Sequence, residues 1–320
     1  MAFATFEIDA LVGLMNCALD AGERPPVLSA VLKQRTTELQ RAVVQHAMDI
    51  VAGSAICMGP NNFVAPAYLS TPIGITVEGS NTMTRSLLIF GQGVVRSKPH
   101  LLEVLDAIEE GDEARFGAAV RDLATDTAWT AVRSTSADPI EQYVRFFALS
   151  STASLALGGD LKRREAISGR YADLLSLLLA GVATEWHAAH AARGVPDWFV
   201  EAVRQDIASR LSLVSAELVR NHPHRWVHAA LLWRTAGGRI RPPPTDRTLQ
   251  RVAREVARPD SPLRELFLSD TLAVTLHPNV RRIEEALRSG ERDPQALRPI
   301  FEVDVAPPRD DAADVIALHA

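Results

Sequence analysis

Cysteine is almost missing from this chain. There are two in 320 residues, Cys17 and Cys57, and neither belongs to a C-x-x-C pair. That argues against a disulfide framework and against a structural zinc site. Basic charge is not in excess either. The formal net charge of −5 leaves a nucleic-acid partner without electrostatic support. No stretch of about twenty residues is free of both charges and turn signals, so no membrane-spanning helix is expected. The opening residues carry Glu7 and Asp9 inside an apolar run and have no basic flank, unlike a secretory leader. Neither G-x-S-x-G nor H-E-x-x-H occurs. Strand signals are few, the best being the short β-branched run 73–77. These absences predict a cytoplasmic protein; the basic helix start at 162–164 adds contact at the inner membrane as a second expectation.

Apolar residues at helical spacing are abundant. Hydrophobic residues make up 47% of the chain, enough for a sizeable core, and the length suits about two domains. The spacing predicts helices over 3–21, 27–51, from about 83 to 98, over 112–133, 140–158, 162–194, 197–221, 222–235, 245–258 and 261–288. Another is predicted in HLLEVLDAIEEG, with Pro99 at its first turn. The stretch 59–72 is non-periodic, and the tail from Pro307 is acidic, Ala-rich and expected to fray. The fold class expected is all-α.

Few groups look chemical. His187 and His190 share a helix face with Glu185 nearby, a spacing that could hold a metal; solvated surface histidines are the plainer reading. The same alternatives apply to His222, His224 and His228, where a partly buried helix start explains the pattern. Lys162-Arg163-Arg164 reads as a solvated helix end rather than a ligand clamp. No metal site is predicted.

Glu78 stands apart. In TPIGITVEGSNTMTR it follows a β-branched run and precedes Gly79, at the entry to an apolar helix. A helix N-terminal acid stabilised by the macrodipole is one reading. A general base is the other: Val77 is apolar, Gly79 lets backbone approach a flat ligand, and a shielded carboxylate suits proton abstraction.

The segment ITVEGSNTMTRSLLIFGQG closely resembles the part of the acyl-coenzyme A dehydrogenases that carries the catalytic base. LDAGERPPVLSAVLK, MDIVAGSAICMGPNNF, FGQGVVRSKPHLLE, GGDLKRREAISGRYADLLS and, more loosely, RVAREVARPDSPLRELF extend the resemblance in order along nearly the whole chain. The likeness is to the large bacterial enzymes of fatty-acid β-oxidation, which have an extra helical C-terminal domain. It implies FAD as cofactor, a fatty acyl-coenzyme A as substrate, an electron-transfer flavoprotein as acceptor, and Glu78 as the base. It places Gly79, Ser80 and Thr82 beside the flavin. Asp49, Ala52 and Gly53 fall where the family's Q-x-x-G-G meets the FAD of a neighbouring subunit, and Arg85, expected to bind substrate, falls where the family has an Arg seven residues past the base. Thr82 stands in for an amide, Asp49 for a Gln, and Ala52 adds a methyl.

The resemblance also implies two parts: 1–97 as a partial C-terminal bundle of the dehydrogenase core, and 98–320 as the extra helical domain, with the STSADP break as another possible seam. The family's N-terminal helical domain and middle β-domain have no counterpart in this sequence. A flavin-bearing partner or a second copy would then complete the site, and an apolar face on 1–97 would be left uncovered. A non-catalytic helical assembly module, or an inactive remnant, is the alternative.

Overall fold

The computed structural model describes residues 1–59, 62–89, 91, 93, 100–132, 136–158, 160–192, 194–268 and 278–290. Among these residues there are helices and turns and no strand, as an all-α chain requires. In chain order they are α1 (Ala2–Asp20), α2 (Pro26–Val51), α3 (Gly53–Ile56), α4 (Ala65–Thr76) and α5 (Asn81–Met83), which runs on into a π-wound turn (Thr84–Ile89). Then come α6 (Leu101–Glu110), α7 (Glu113–Val132), α8 (Pro139–Ser154), a 3-10 turn (Leu155–Leu157), α9 (Asp160–Arg163), α10 (Glu165–His190) and α11 (Asp197–Asn221). The last are α12 (Arg225–Ala236), α13 (Asp246–Ala257), α14 (Pro262–Leu268) and α15 (Pro278–Ser289).

The molecule is organised around α10. Tyr171, Leu174, Leu177, Ala180, Ala183 and Thr184 are all buried, and they lie on several sides of the helix. A helix apolar on every side belongs in an interior, and α1, α8, α11 and the π turn enclose this one. Glycines set the spacing. A Cβ on Gly181 would lie 2.8 Å from Ile140, so only glycine lets α8 come this close. By length and composition α1 and α10 could each cross a membrane, contrary to the sequence expectation, but 72% of the most apolar window of α10 is buried inside the protein.

Residues on both sides of position 97 share one core. Phe6, Ala10, Leu11, Val31 and Ile89 pack in the same cluster as Tyr143, Phe146, Leu174, Phe199 and Val203. A buried ion triad reinforces it. Glu7 of α1, fully enclosed, accepts from Arg35 of α2 at 2.6 Å and from Arg210 of α11 at 2.7 Å. Burial pushes the Glu7 carboxyl upward in pKa, and Arg35 pulls it back down.

Two sequence expectations change. The strand over 73–77 and the non-periodic stretch before it are largely α4. Asn62 starts that helix, its Oδ1 accepting from the N–H groups of Val64 and Ala65. Thr71 and Thr76 turn their hydroxyls onto carbonyls one turn back, Ala67 and Pro72. Gly74 sits against Thr37, a Cβ there falling 3.4 Å from the Thr37 methyl, so α4 lies close on α2. Packing on α2 overrides the β-propensity of the run. The helix expected over 261–288 is described as α14 and α15, with 269–277 outside the described residues. The far end of the helix expected after Glu78, including 94–98, lies outside them too, as does the tail from Pro307.

Candidate functional site

Glu78 occupies the corner between α4 and α5. Its φ is 53° and that of Gly79 is 87°, two successive left-handed residues. Glycine adopts this conformation freely, but for a glutamate it costs on the order of 1–2 kcal/mol. The surrounding hydrogen bonds hold the corner. Lys33, reaching from α2, donates from Nζ to the Gly79 carbonyl and to Asn81 Oδ1, both at 2.7 Å. Asn81 is buried, and its Nδ2 donates to Thr37 Oγ1 at 3.0 Å and Glu38 Oε1 at 2.9 Å. Thr84 Oγ1 adds a second donor to the Gly79 carbonyl at 3.4 Å. Ser80 caps α5, its Oγ accepting from the Met83 N–H at 3.4 Å.

The side chain of Glu78 is exposed, and the apolar niche expected around it is not formed by the described residues. The reason lies in its neighbours: Val77 and Met83 face outward as well, 49% and 57% exposed. The corner is a fixed ledge that presents a carboxylate outward.

The other expected site residues divide into two groups. Gly79, Ser80 and Thr82 adjoin Glu78, with Gly79 and Thr82 exposed. Arg85, in the π turn, is committed to α10. Its Nε and Nη2 fork onto the Asp173 carboxylate at 2.6 and 2.5 Å, and that hydrogen bonding raises its pKa further. Gly169 leaves room for the fork, since a Cβ there would stand 2.7 Å from Arg85 Nη1. Asp49 and Gly53 lie elsewhere, both exposed; Asp49 is a dozen residues beyond Thr37, roughly 18 Å along α2 at the rise of a helix, and Gly53 lies past the end of α2. Asp49 edges an open apolar groove of ≈ 910 Å³ formed with Phe3, Ile50, Val252 and Phe267. That groove does not reach Glu78. The described residues around Glu78 form an exposed edge, a carboxylate beside a Cβ-free Gly79, and do not enclose a flavin ring by themselves.

Among the described residues no group of three or more His, Cys, Asp or Glu is placed to hold a metal ion. Glu185 pairs with Arg204. His187 is half-buried, not solvated: it meets Phe6 edge-on, ring centroids 5.1 Å apart, and burial lowers its pKa. His190 stacks on Trp186 at 5.5 Å. His222 and His228 are both buried, their ring centroids 3.7 Å apart. Nδ1 of His222 accepts from the His224 N–H at 3.0 Å, so its proton sits on Nε2, 3.1 Å from Ser154 Oγ. Ser154 in turn meets the Tyr171 hydroxyl at 2.6 Å, and burial pushes that phenol up to about 12. Among the described residues neither ring nitrogen of His228 has a hydrogen-bond partner. Burial brings the pKa of both His222 and His228 down to about 4. Arg163 and Arg164 are exposed at the rim of an open depression of ≈ 640 Å³, as a solvated helix end would be.

Lys33, Thr37, Glu38 and Asn81 were not apparent in the sequence. They come from α2 and α5, and the separation of 46 residues between Lys33 and Gly79 hides the link. Asn81 alone left a trace, as a polar residue directly after the cap of an apolar helix.

Residues 138–293 match the protein family described as acyl-CoA dehydrogenase, C-terminal, bacterial type. The match begins at Asp138, which caps α8 through the Ile140 and Glu141 N–H groups. No solved structure matches the chain.

Proposed function

From the match of residues 138–293 to the bacterial-type acyl-CoA dehydrogenase C-terminal family, we propose that the chain serves FAD-dependent α,β-dehydrogenation of fatty acyl-coenzyme A to the trans-2-enoyl thioester. The family match carries this reading. The strained Glu78 supports the assignment of the base: a glutamate at φ 53° is held there at a cost, where glycine would sit without one.

In this reading the Glu78 carboxylate takes the α-proton of the thioester and becomes the carboxylic acid. A bound flavin would supply the acceptor for the hydride leaving the β-carbon. Lys33 and Asn81 fix the backbone on which Glu78 stands, so that its carboxylate meets the substrate at near-attack distance. Gly79 and Ser80 would line the flavin edge beside it, and Thr82 would add a hydroxyl. Arg85 is a positioning residue, tying the segment after the base to α10 through Asp173. Asp49 and Gly53 would serve a separate contact with a flavin on a neighbouring subunit. The remaining walls, including the flavin cradle and the apolar cover that removes water from Glu78, come from another segment or polypeptide. An electron-transfer flavoprotein is the proposed acceptor.

The test adds a fatty acyl-coenzyme A anaerobically to the chain assembled with its flavin-bearing domains and follows loss of flavin absorbance. Wild type bleaches, and Glu78→Gln slows bleaching by a factor on the order of 10² or more. Equal rates would remove Glu78 from the reaction. A second reading, a non-catalytic assembly module, is favoured by the open setting of Glu78 and by the apolar side chains exposed around it. It predicts a stable complex with the flavin domains whose bleaching is indifferent to Glu78.

A further inference from the structure

Helix α12 turns one face inward and leaves the other uncovered. His228, Leu232, Thr235 and Ala236 are buried against α8 and α11. Trp226, Ala230 and Trp233, at i, i+4 and i+7, share the opposite face. Trp226 is 75% exposed and Trp233 72%, and Val227 and Ile240 stand out beside them. A scattered apolar residue on a surface is ordinary; two tryptophans on one face of one helix are not. The helix cannot roll to hide them, because its other face carries the buried His228 and Leu232. Gly237, at φ 72°, ends it one residue past Ala236.

Charge sets this surface apart from the rest of the molecule. From His222 to Thr245 the chain has no Asp or Glu, although the protein as a whole carries a net charge of −5. Arg225, Arg234 and Arg239 are exposed here. Arg241 points inward, donating to Gln142 Oε1 at 2.6 Å, and is not counted with them. The Arg225 guanidinium lies 4.8 Å from the ring centre of Trp226, so cation and ring form one unit.

Indole rings settle at the depth of lipid headgroups, where the ring is shielded and its N–H remains wet. Arginines around them attract anionic headgroups. We propose that the outer face of α12, with Arg239 and Ile240 beyond it, docks on an anionic lipid surface, with Trp226 and Trp233 entering the headgroup layer. This would hold the protein at the membrane side of an otherwise acidic molecule, α12 lying in the interface and not crossing it.

Vesicles test this with the intact chain. Co-sedimentation and tryptophan emission are measured with equimolar phosphatidylglycerol and phosphatidylcholine, and with phosphatidylcholine alone. Wild type binds the anionic vesicles with a blue-shifted emission, at least roughly tenfold more tightly than the neutral ones, and loses that preference in high salt. Trp226→Ser/Trp233→Ser and Arg225→Glu/Arg234→Glu/Arg239→Glu each weaken binding by roughly tenfold or more, with circular dichroism and thermal midpoint confirming that both variants fold. Leu69→Ser/Ile73→Ser, on exposed positions of α4, binds as wild type does. Equal affinity for the two vesicles overturns the proposal, as does wild-type binding by the tryptophan variant. If vesicles are ignored and the tryptophan variant instead breaks up an oligomer in sedimentation velocity, the face meets protein, and the proposal is wrong.

Discussion

A glutamate at φ 53° is the clearest mark on this molecule at the scale of the residue. Replacing it by glycine removes the side chain's conflict with the backbone and also loosens the unfolded chain. The first effect is on the order of 1–2 kcal/mol and the second somewhat smaller. Glu78→Gly is therefore expected to leave stability unchanged or raise it by up to about 1 kcal/mol in urea titration. A loss larger than that would mean the carboxylate has a structural partner. Asn81→Ala acts oppositely. It removes the acceptor for Lys33 and the donor to Thr37 and Glu38, and is expected to cost about 1–3 kcal/mol in the same assay. The sequence made Glu78 visible because a lone acid before glycine at a helix entry is unusual. It could not reveal the apolar exposure around it. Whether Val77 and Met83 point inward or outward depends on what packs over them.

Elements were legible where hydrophobic spacing was long and regular. The extents of α1, α2, α8, α10 and α11 fall within a few residues of their expected spans, because each buries a stripe that recurs over several turns. The α4 segment was not legible: its β-branched residues and two prolines hide a helix that exists because α2 offers it a surface. The helix starts at 222–235 hid a different feature. His222 and His228, expected to sit at a partly buried helix start, form a deeply buried contact beside Ser154 and Tyr171. In the folded protein they stay neutral down to about pH 4, whereas in the unfolded chain they take up protons near 6.5. The unfolded state thus binds more protons across that interval. Their contribution to stability is complete above about 6.5 and is lost as pH falls towards about 4. Asp206 runs the other way. Burial pushes it up to about 6, so its contribution is full below the unfolded value and is lost as pH rises through about 6. Comparing variants separates the two. His228→Leu should flatten the fall in stability between about pH 6.5 and 4.5 by up to about 1.4 kcal/mol per pH unit, read from urea unfolding at each pH. An unchanged slope would show that His228 is already protonated when folded.

At the scale of the whole molecule, the expected seam near residue 97 meets a core that crosses it. Glu7 joins α1, α2 and α11, so its loss leaves two arginines facing each other across the buried triad. Glu7→Ala is expected to lower stability by about 3–5 kcal/mol and to shift one cooperative transition, not to split it in two. Separate melting of an N-terminal unit in calorimetry would contradict a shared core. The uncovered apolar face expected of residues 1–97 corresponds to Ile50, Ile56 and Met58 at the end of α2 and beyond, and to Leu69 and Ile73 on α4, all more than half exposed. The chain should accordingly bind a hydrophobic dye, and Ile56→Ser/Met58→Ser should reduce the signal without changing the thermal midpoint.

Helix α10 has consequences on the ribosome as well. It is apolar and buried along most of its length, and its wrapping comes from both directions of the chain, α1 and α8 before it and α11 after it. While α11 is still being synthesised, the emerging polypeptide carries a long greasy rod with one flank bare. Chaperone holding is needed most in that interval. Polypeptides cut just after His190 should drive inclusion-body formation more strongly than those cut after Asn221.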